Sequence, residues 1–140
     1  GLLLNYSFIY GKGNIVQAPD FHVNSFFTSY ESKYFIATAQ YYFGKGDSDG
    51  KMINESNFEA YSNQGYSFFG ELFLLHRKVS LFGRYDYFLS QQATDIEHRT
   101  YIGGLAYHFL KGSKFLLETD YTDKNGTIDK IHEVAIEIRF

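Results

Sequence analysis

Arg84 and Asp86 carry opposite charges two residues apart near the middle of a 140-residue chain. In an extended strand that spacing puts both on one face. There they form either a transverse field across an aqueous passage or a structural ion pair, and the pair is the commoner arrangement. The same alternation gathers further acids in neighbouring segments: Glu71, Glu118, Asp120, Glu133 and Glu137 join Asp86, against only Arg84 and Arg139 in those segments. A confined, weakly screened wall of this sign concentrates cations and repels anions. Mild cation preference is the expectation for any passage it lines. The alternative is that the carboxylates are neutralised by Lys or Arg from other segments.

General-base or nucleophilic catalysis requires a His within reach of a Ser, Asp or Glu. Of the five histidines, His76 falls in a turn, His22 and His98 lie in or beside loops, and His132 takes the parity of an apolar face. His108 alone points to the charged face from within a strand, with Thr100 and Ser67 somewhere on the same wall. An isolated His there reads as a hydrogen-bonding group, and no catalytic residues are expected. Gly44-Lys45-Gly46-Asp47-Ser48-Asp49-Gly50-Lys51 has the acids and glycines of a calcium or phosphate loop but fails both templates. It lacks the third acidic or amide ligand and the bidentate Glu of the first, and the Gly spacing and Lys-Ser/Thr ending of the second. It reads as a solvated loop, with Asp47 and Asp49 as the groups for any weak divalent contact. A chain without Cys offers neither a disulfide framework nor a thiolate metal site, and separately no metal or cofactor is expected.

The segments that position these groups are strands. Tyr and Phe supply a 20% aromatic fraction, yet mean hydropathy is negative and no apolar run nears the ~20 residues of a membrane helix. A net charge of −3 without a basic stripe excludes nucleic acid as partner. The triplet Leu2-Leu3-Leu4 is too short for the apolar region of a signal peptide and reads as the start of a strand. Either such a signal has been removed or the chain begins partway through a larger protein. Strong β-formers separated by Gly, Asn, Asp and Ser predict strands near 2–11, 24–30, 34–43, 65–74, 78–88, 99–109, 114–122 and 131–140. The connections alternate: long at 12–23, 44–64, 89–98 and 123–130, short at 31–33, 75–77 and 110–113. Pro19, the sole proline, falls in a connection. The expected class is an all-β, antiparallel, up-and-down transmembrane β-barrel of about eight strands, one domain over residues 1–140, with short turns at one rim and long loops at the other.

Each strand alternates apolar and polar positions. Val79, Leu81, Gly83, Tyr85 and Tyr87 oppose Arg84 and Asp86, and Tyr101, Leu105, Tyr107 and Phe109 oppose Thr100, Ala106 and His108. Aromatic residues collect near strand ends, at Tyr6, Tyr10, Tyr41, Phe43, Tyr85, Tyr87, Tyr107 and Phe109, as girdles at two headgroup levels would. A soluble sheet with one apolar face, or a soluble ligand-binding barrel with apolar residues inside, shares the alternation but not the loop asymmetry.

The last ten residues alternate most strictly: Val134, Ile136, Ile138 and Phe140 share one face, Glu133, Glu137 and Arg139 the other. This ending resembles the final strand of bacterial outer-membrane β-barrels, in which a terminal Phe after alternating apolar residues is read by the barrel-assembly machinery. From residue 24 onward, the succession "NSFFTSYESKYFIATAQYYFGKG", "GYSFFGELFLL", "KVSLFGRYDYF", "RTYIGGLAYHF", "KFLLETDY" and "HEVAIEIRF" resembles the C-terminal strands of general and phosphate-selective (O/P-type) porins. The resemblance implies the C-terminal part of a larger barrel, a homotrimer in the bacterial outer membrane among its lipid and lipopolysaccharide, through which small hydrophilic solutes or ions diffuse. Phosphate selectivity does not carry over, because the charged face here is acidic rather than rich in Arg and Lys. The alternative is a complete eight-stranded barrel whose interior is filled by side chains such as Phe69, Phe73, Phe82 and Phe88, serving adhesion, envelope anchoring or lipid interaction without an open pore.

Overall fold

The computed structural model describes residues 1–12, 19–47, 52–54, 56–92, 95–110 and 112–139. Its eight strands are β1 (Leu2–Gly11), β2 (Phe21–Glu31), β3 (Phe35–Lys45), β4 (Ser62–Leu74), β5 (Val79–Gln91), β6 (Ile96–Leu110), β7 (Ser113–Lys124) and β8 (Thr127–Glu137). Each pairs antiparallel with the next, giving one sheet in the order β1 to β8. Among the described residues β1 and β8 are not paired with each other, so the sheet is open and has two edges.

Register fixes two faces, because residues opposite one another in an antiparallel ladder point the same way. One continuous row runs Leu4, Thr28, Ala39, Phe68, Tyr85, Tyr101, Tyr121. It belongs to an apolar face that includes Leu72, Leu81, Leu105, Leu117 and Val134. The opposite face carries Gln40, Ser67, Asp86 and Thr100 in one row and Glu71, Phe82, Gly104, Glu118 and Glu133 in another. No second layer covers either face among the described residues, and Ala106, 2% exposed, is the sole buried apolar side chain.

Exposure nevertheless alternates. Along β6, Tyr101, Gly103, Leu105, Tyr107 and Phe109 are exposed while Ile102, Gly104, Ala106 and His108 are partly or fully buried. An uncovered flat sheet would shield both faces alike, so the sheet curves with the polar face concave and its side chains converging. The glycines agree. On the concave side a Cβ at Gly104 would lie 2.6 Å from the Phe82 ring, and one at Gly65 equally close to the Tyr42 ring. On the convex side Ala37, Gly70, Gly83, Gly103 and Thr119 form a row of small residues, and at Gly70 and Gly103 a Cβ would meet nothing.

The expected alternation of connection lengths holds only in part. Long segments join β1 to β2 and β3 to β4, but the β5–β6 connection shortens to residues 92–95, and the expected loop at 123–130 is a two-residue turn, Asn125-Gly126. Both turn residues have positive φ, 50° and 85°, the conformation that matches strand twist in tight hairpins. The β-branched Thr127, Ile128 and Ile131 then extend the ladder to that turn. Asn125 locks it to β6, its side chain accepting from the Glu97 N–H at 2.7 Å. Asp47 accepts from the Met52 N–H at 2.8 Å, so it organises the β3–β4 connection rather than standing free; Asp49 lies outside the described residues.

At the opposite end Leu75, His76 and Arg77 all adopt left-handed φ, 47°, 55° and 67°. Such a backbone costs non-glycine residues roughly 1–2 kcal/mol each. Arg77 holds the turn, donating to the backbone carbonyls of Ser32 and Lys33 at 3.0 and 3.3 Å and lying 4.4 Å over the Phe73 ring. His76, exposed, makes no side-chain contact that would resist replacement. His76→Gly is expected to raise stability by about 1 kcal/mol, read as a higher urea midpoint of the folded protein; an unchanged or lower midpoint would refute the strain.

Candidate functional site

The polar face gathers the groups that could act on a solute. At the end nearer the long connections, Tyr42 of β3, Phe88 of β5 and His98 of β6 share one row across Gly65 of β4. The Tyr42 and Phe88 ring centroids are 6.5 Å apart and those of Phe88 and His98 5.8 Å. Below this row Gln40, Ser67, Asp86, Thr100 and Arg84 complete a polar cavity of about 310 Å³. Arg84 Nε contacts both Asp86 oxygens at 2.9 Å, an ion pair along one strand. The side chains are 50% and 29% exposed, so the pair faces open solvent in part and is worth little to stability.

Toward the turn end a second cavity of about 210 Å³ is lined by Glu71, Phe82, Lys114 and Glu118. Beside it Ser80, fully buried, donates to Glu71 at 2.6 Å and lies 3.1 Å from His108 Nε2, with His108 and Glu71 3.9 Å apart. These are the residue types of a hydrolytic triad in a different connection. The acid accepts the serine's O–H hydrogen bond instead of orienting the histidine, and the hydroxyl is fully buried. Period two and register bring Ser80, Glu71 and His108 together, and the pairing across β4, β5 and β6 is what sequence spacing alone did not supply.

The expected charged residues divide into neutralised and unneutralised sets. Asp86 is paired with Arg84, Glu137 with Lys114 at 3.1 Å, and Glu71 is held by Ser80. Glu118 and Glu133 stand directly opposite each other with Asp120 two residues on, and one buried Asp120 oxygen has no hydrogen-bond partner among the described residues. Lys114 and Lys124 also take this face, basic groups that sequence reading overlooked.

Several expectations need correction. His98 lies within β6 on the polar face, not in a loop, because β6 begins at Ile96; two histidines therefore share that face. Ser67 and Thr100 do share the wall of His108, but the hydroxyl that His108 meets is Ser80, and Thr100 contacts Thr122 at 3.3 Å. Arg139 and Ile138 lie past the end of β8. β7 begins at Ser113, so its ladder offers no partner beyond the Lys114–Glu137 pair, and the Arg139 N–H turns to the Ser113 hydroxyl at 3.1 Å. Phe140 lies outside the described residues, while Val134 and Ile136 sit exposed on the apolar face.

On that face the tyrosines form a connected band. Tyr66 packs against Tyr87 at 5.0 Å and Tyr85 at 5.8 Å, Tyr85 against Tyr101 at 4.7 Å, and Tyr101 against Tyr121 at 5.9 Å. Tyr6 with Phe26, at 4.8 Å, and Tyr41 with Phe43, at 5.8 Å, continue it toward β1. Beyond the band the face turns polar: Arg99 binds Glu97 at 2.5 Å, beside Asp123 and Asn125. Tyr10 donates to Asp20 near the β1–β2 connection, and Tyr107 and Phe109 lie near the other end, exposed.

Comparison with protein-family models, with curated proteins and with solved structures returns no match. Function is therefore argued from the chain's own geometry.

Ser80→Ala leaves the buried side of Glu71 without its donor and is expected to destabilise the fold by about 1–3 kcal/mol, measured by urea unfolding. A neutral result would show that the Glu71–Ser80–His108 contacts carry no weight.

Proposed function

We propose that this sheet is wall of an outer-membrane β-barrel channel of the porin type, its apolar face toward lipid and its polar face toward a water-filled passage for small hydrophilic solutes or ions. The observation that carries the reading is the uncovered apolar face. Each large apolar side chain withdrawn from water contributes about 1.5–3 kcal/mol. Even at half that value, Phe68, Leu72, Leu81, Tyr101, Leu105 and Leu117, all exposed, come to roughly 5–9 kcal/mol, the scale of a small domain's entire stability. A sheet with no core of its own needs that surface covered, and lipid covers it without a second layer.

Three further features support the same reading. From Tyr101 to Phe109 β6 runs about 27 Å at ~3.4 Å per residue, which projects to roughly 20 Å at a tilt of about 40°, near the ~25 Å apolar band of outer-membrane barrels. The tyrosine band, with charge beyond it, is what a headgroup boundary would select. The concave face is polar, and among the described residues its Glu118, Asp120 and Glu133 form no ion pair, although Lys114 lines the same cavity as Glu118; this excess of acid favours cations in the passage. Open edges at β1 and β8 favour a wall completed by further strands. The resemblance to porins adds trimeric assembly and delivery by the barrel-assembly machinery to the proposal.

The chain contains no Cys, so single thiols can be placed without background. In the protein assembled in membranes, a water-soluble maleimide is expected to label Ser67→Cys and Thr100→Cys and to spare Leu81→Cys and Leu105→Cys. Labelling of the leucine positions alone would invert the wall and overturn the reading. In planar bilayers Glu118→Gln/Glu133→Gln is expected to lower the cation-to-anion permeability ratio by about two-fold, because it removes two acids that form no ion pair among the described residues; an unchanged reversal potential would remove these acids from the passage.

A further inference from the structure

The cavity beneath Tyr42, Phe88 and His98 has a composition that a simple ion-conducting wall does not call for. Its upper border is a shelf of rings, and that shelf depends on Gly65: the Tyr42 ring occupies the space where any Cβ would stand, 2.6 Å from Cε1 and 2.8 Å from Cζ. Only glycine allows Tyr42 to fold over the sheet toward Phe88. The rings are partly exposed, with aromatic surface available on the polar side of the sheet.

Below the shelf the polar groups are plentiful yet neutral as a set. Arg84 and Asp86 cancel each other at 2.9 Å. Gln40 spends its amide N–H on Ser25 at 3.1 Å and keeps its carbonyl oxygen as an acceptor. The guanidinium nitrogens of Arg84 other than Nε have no protein partner among the described residues. An anion would meet Asp86, and a cation would meet Arg84. A zwitterion would have to separate a pair already formed. A neutral polyol faces none of these costs, because each hydroxyl both donates and accepts and adjacent hydroxyls match a carboxylate or a guanidinium in pairs. The C–H face of a sugar ring also packs on an aromatic surface, and about 310 Å³ lies at the lower end of small-molecule pockets, room for one or two rings.

We infer that Tyr42, Phe88 and the Arg84–Asp86 pair form a binding subsite for a neutral saccharide on the wall of the passage. The inference rests on the proposed channel reading, for the polar face must meet water. The test is calorimetric titration of the folded protein in detergent micelles with maltotriose, with citrate and putrescine as charged probes, beside bilayer conductance of the same preparation. Saturable maltotriose binding is expected, weakened at least ten-fold in Phe88→Leu, which keeps bulk and loses the flat face, and in Asp86→Asn. Tyr42→Phe, which keeps the ring, should bind within about two-fold of the parent protein. A heat-dependent gel mobility shift certifies folding of each variant. Ion conductance without saturable maltotriose binding, or binding that ignores Phe88→Leu and Asp86→Asn, overturns the subsite and leaves the channel standing. Binding that responds to those variants in a protein that does not conduct supports the subsite and overturns the channel. Tighter binding of citrate or putrescine than of maltotriose overturns the assignment to a neutral ligand.

Discussion

Everything in this structure depends on the backbone ladder, because the described residues form no packed core to share the load. In a two-layer domain, apolar contacts between layers specify which strand faces where. Here a single layer of eight strands holds its form through main-chain hydrogen bonds and same-face neighbours alone. A slip of one residue would exchange the two faces wholesale, placing Leu81 and Leu105 among the acids and Asp86 and Glu118 among the leucines. The sequence guards against that slip by making every strand from β4 to β7 strongly two-sided. The tight Asn125-Gly126 turn and its bond to Glu97 pin the last hairpin as well.

Curvature converts that two-sidedness into contacts across the sheet. Small residues on the convex side and ring-over-glycine packing on the concave side let one face converge while the other splays. The converging face therefore brings into contact residues far apart in sequence: Glu71 with Ser80 and His108, Tyr42 with Phe88. The same convergence shields Ser80 completely, so a constellation with the residue types of a hydrolase has its hydroxyl closed off from solvent.

Strand positions and faces were legible in the sequence to within a few residues, because period-two alternation is local and strong in segments such as Val79–Tyr87. Turn lengths were less legible. Asn125-Gly126 carried a recognisable hairpin signal, but Asp123, Lys124, Asp129 and Lys130 around it read as loop, since charged residues at strand ends have no local mark of pairing. Partners were hardest to read. Lys114 opposite Glu137 and Ser80 beneath Glu71 follow from register, which sets each strand against its neighbour by an offset that no single strand encodes. The shelf at Gly65 was hidden for another reason: its signal is an absent side chain in β4 whose meaning resides in a ring of β3.

The two edges impose an order of events on assembly. Each exposed N–H and C=O along β1 and β8 is readily satisfied by water but costs several kcal/mol in hydrocarbon. A sheet with such borders is barred from the bilayer interior however apolar its convex face. For the proposed channel, edge pairing must therefore precede or accompany entry, whether the partners are further strands or β1 and β8 themselves. Until then the apolar face and the bare edges are exposed together, the combination most prone to indiscriminate strand addition. On the proposed reading, a chain built in this way needs an escort between synthesis and membrane, and the requirement arises from its main chain as much as from its leucines.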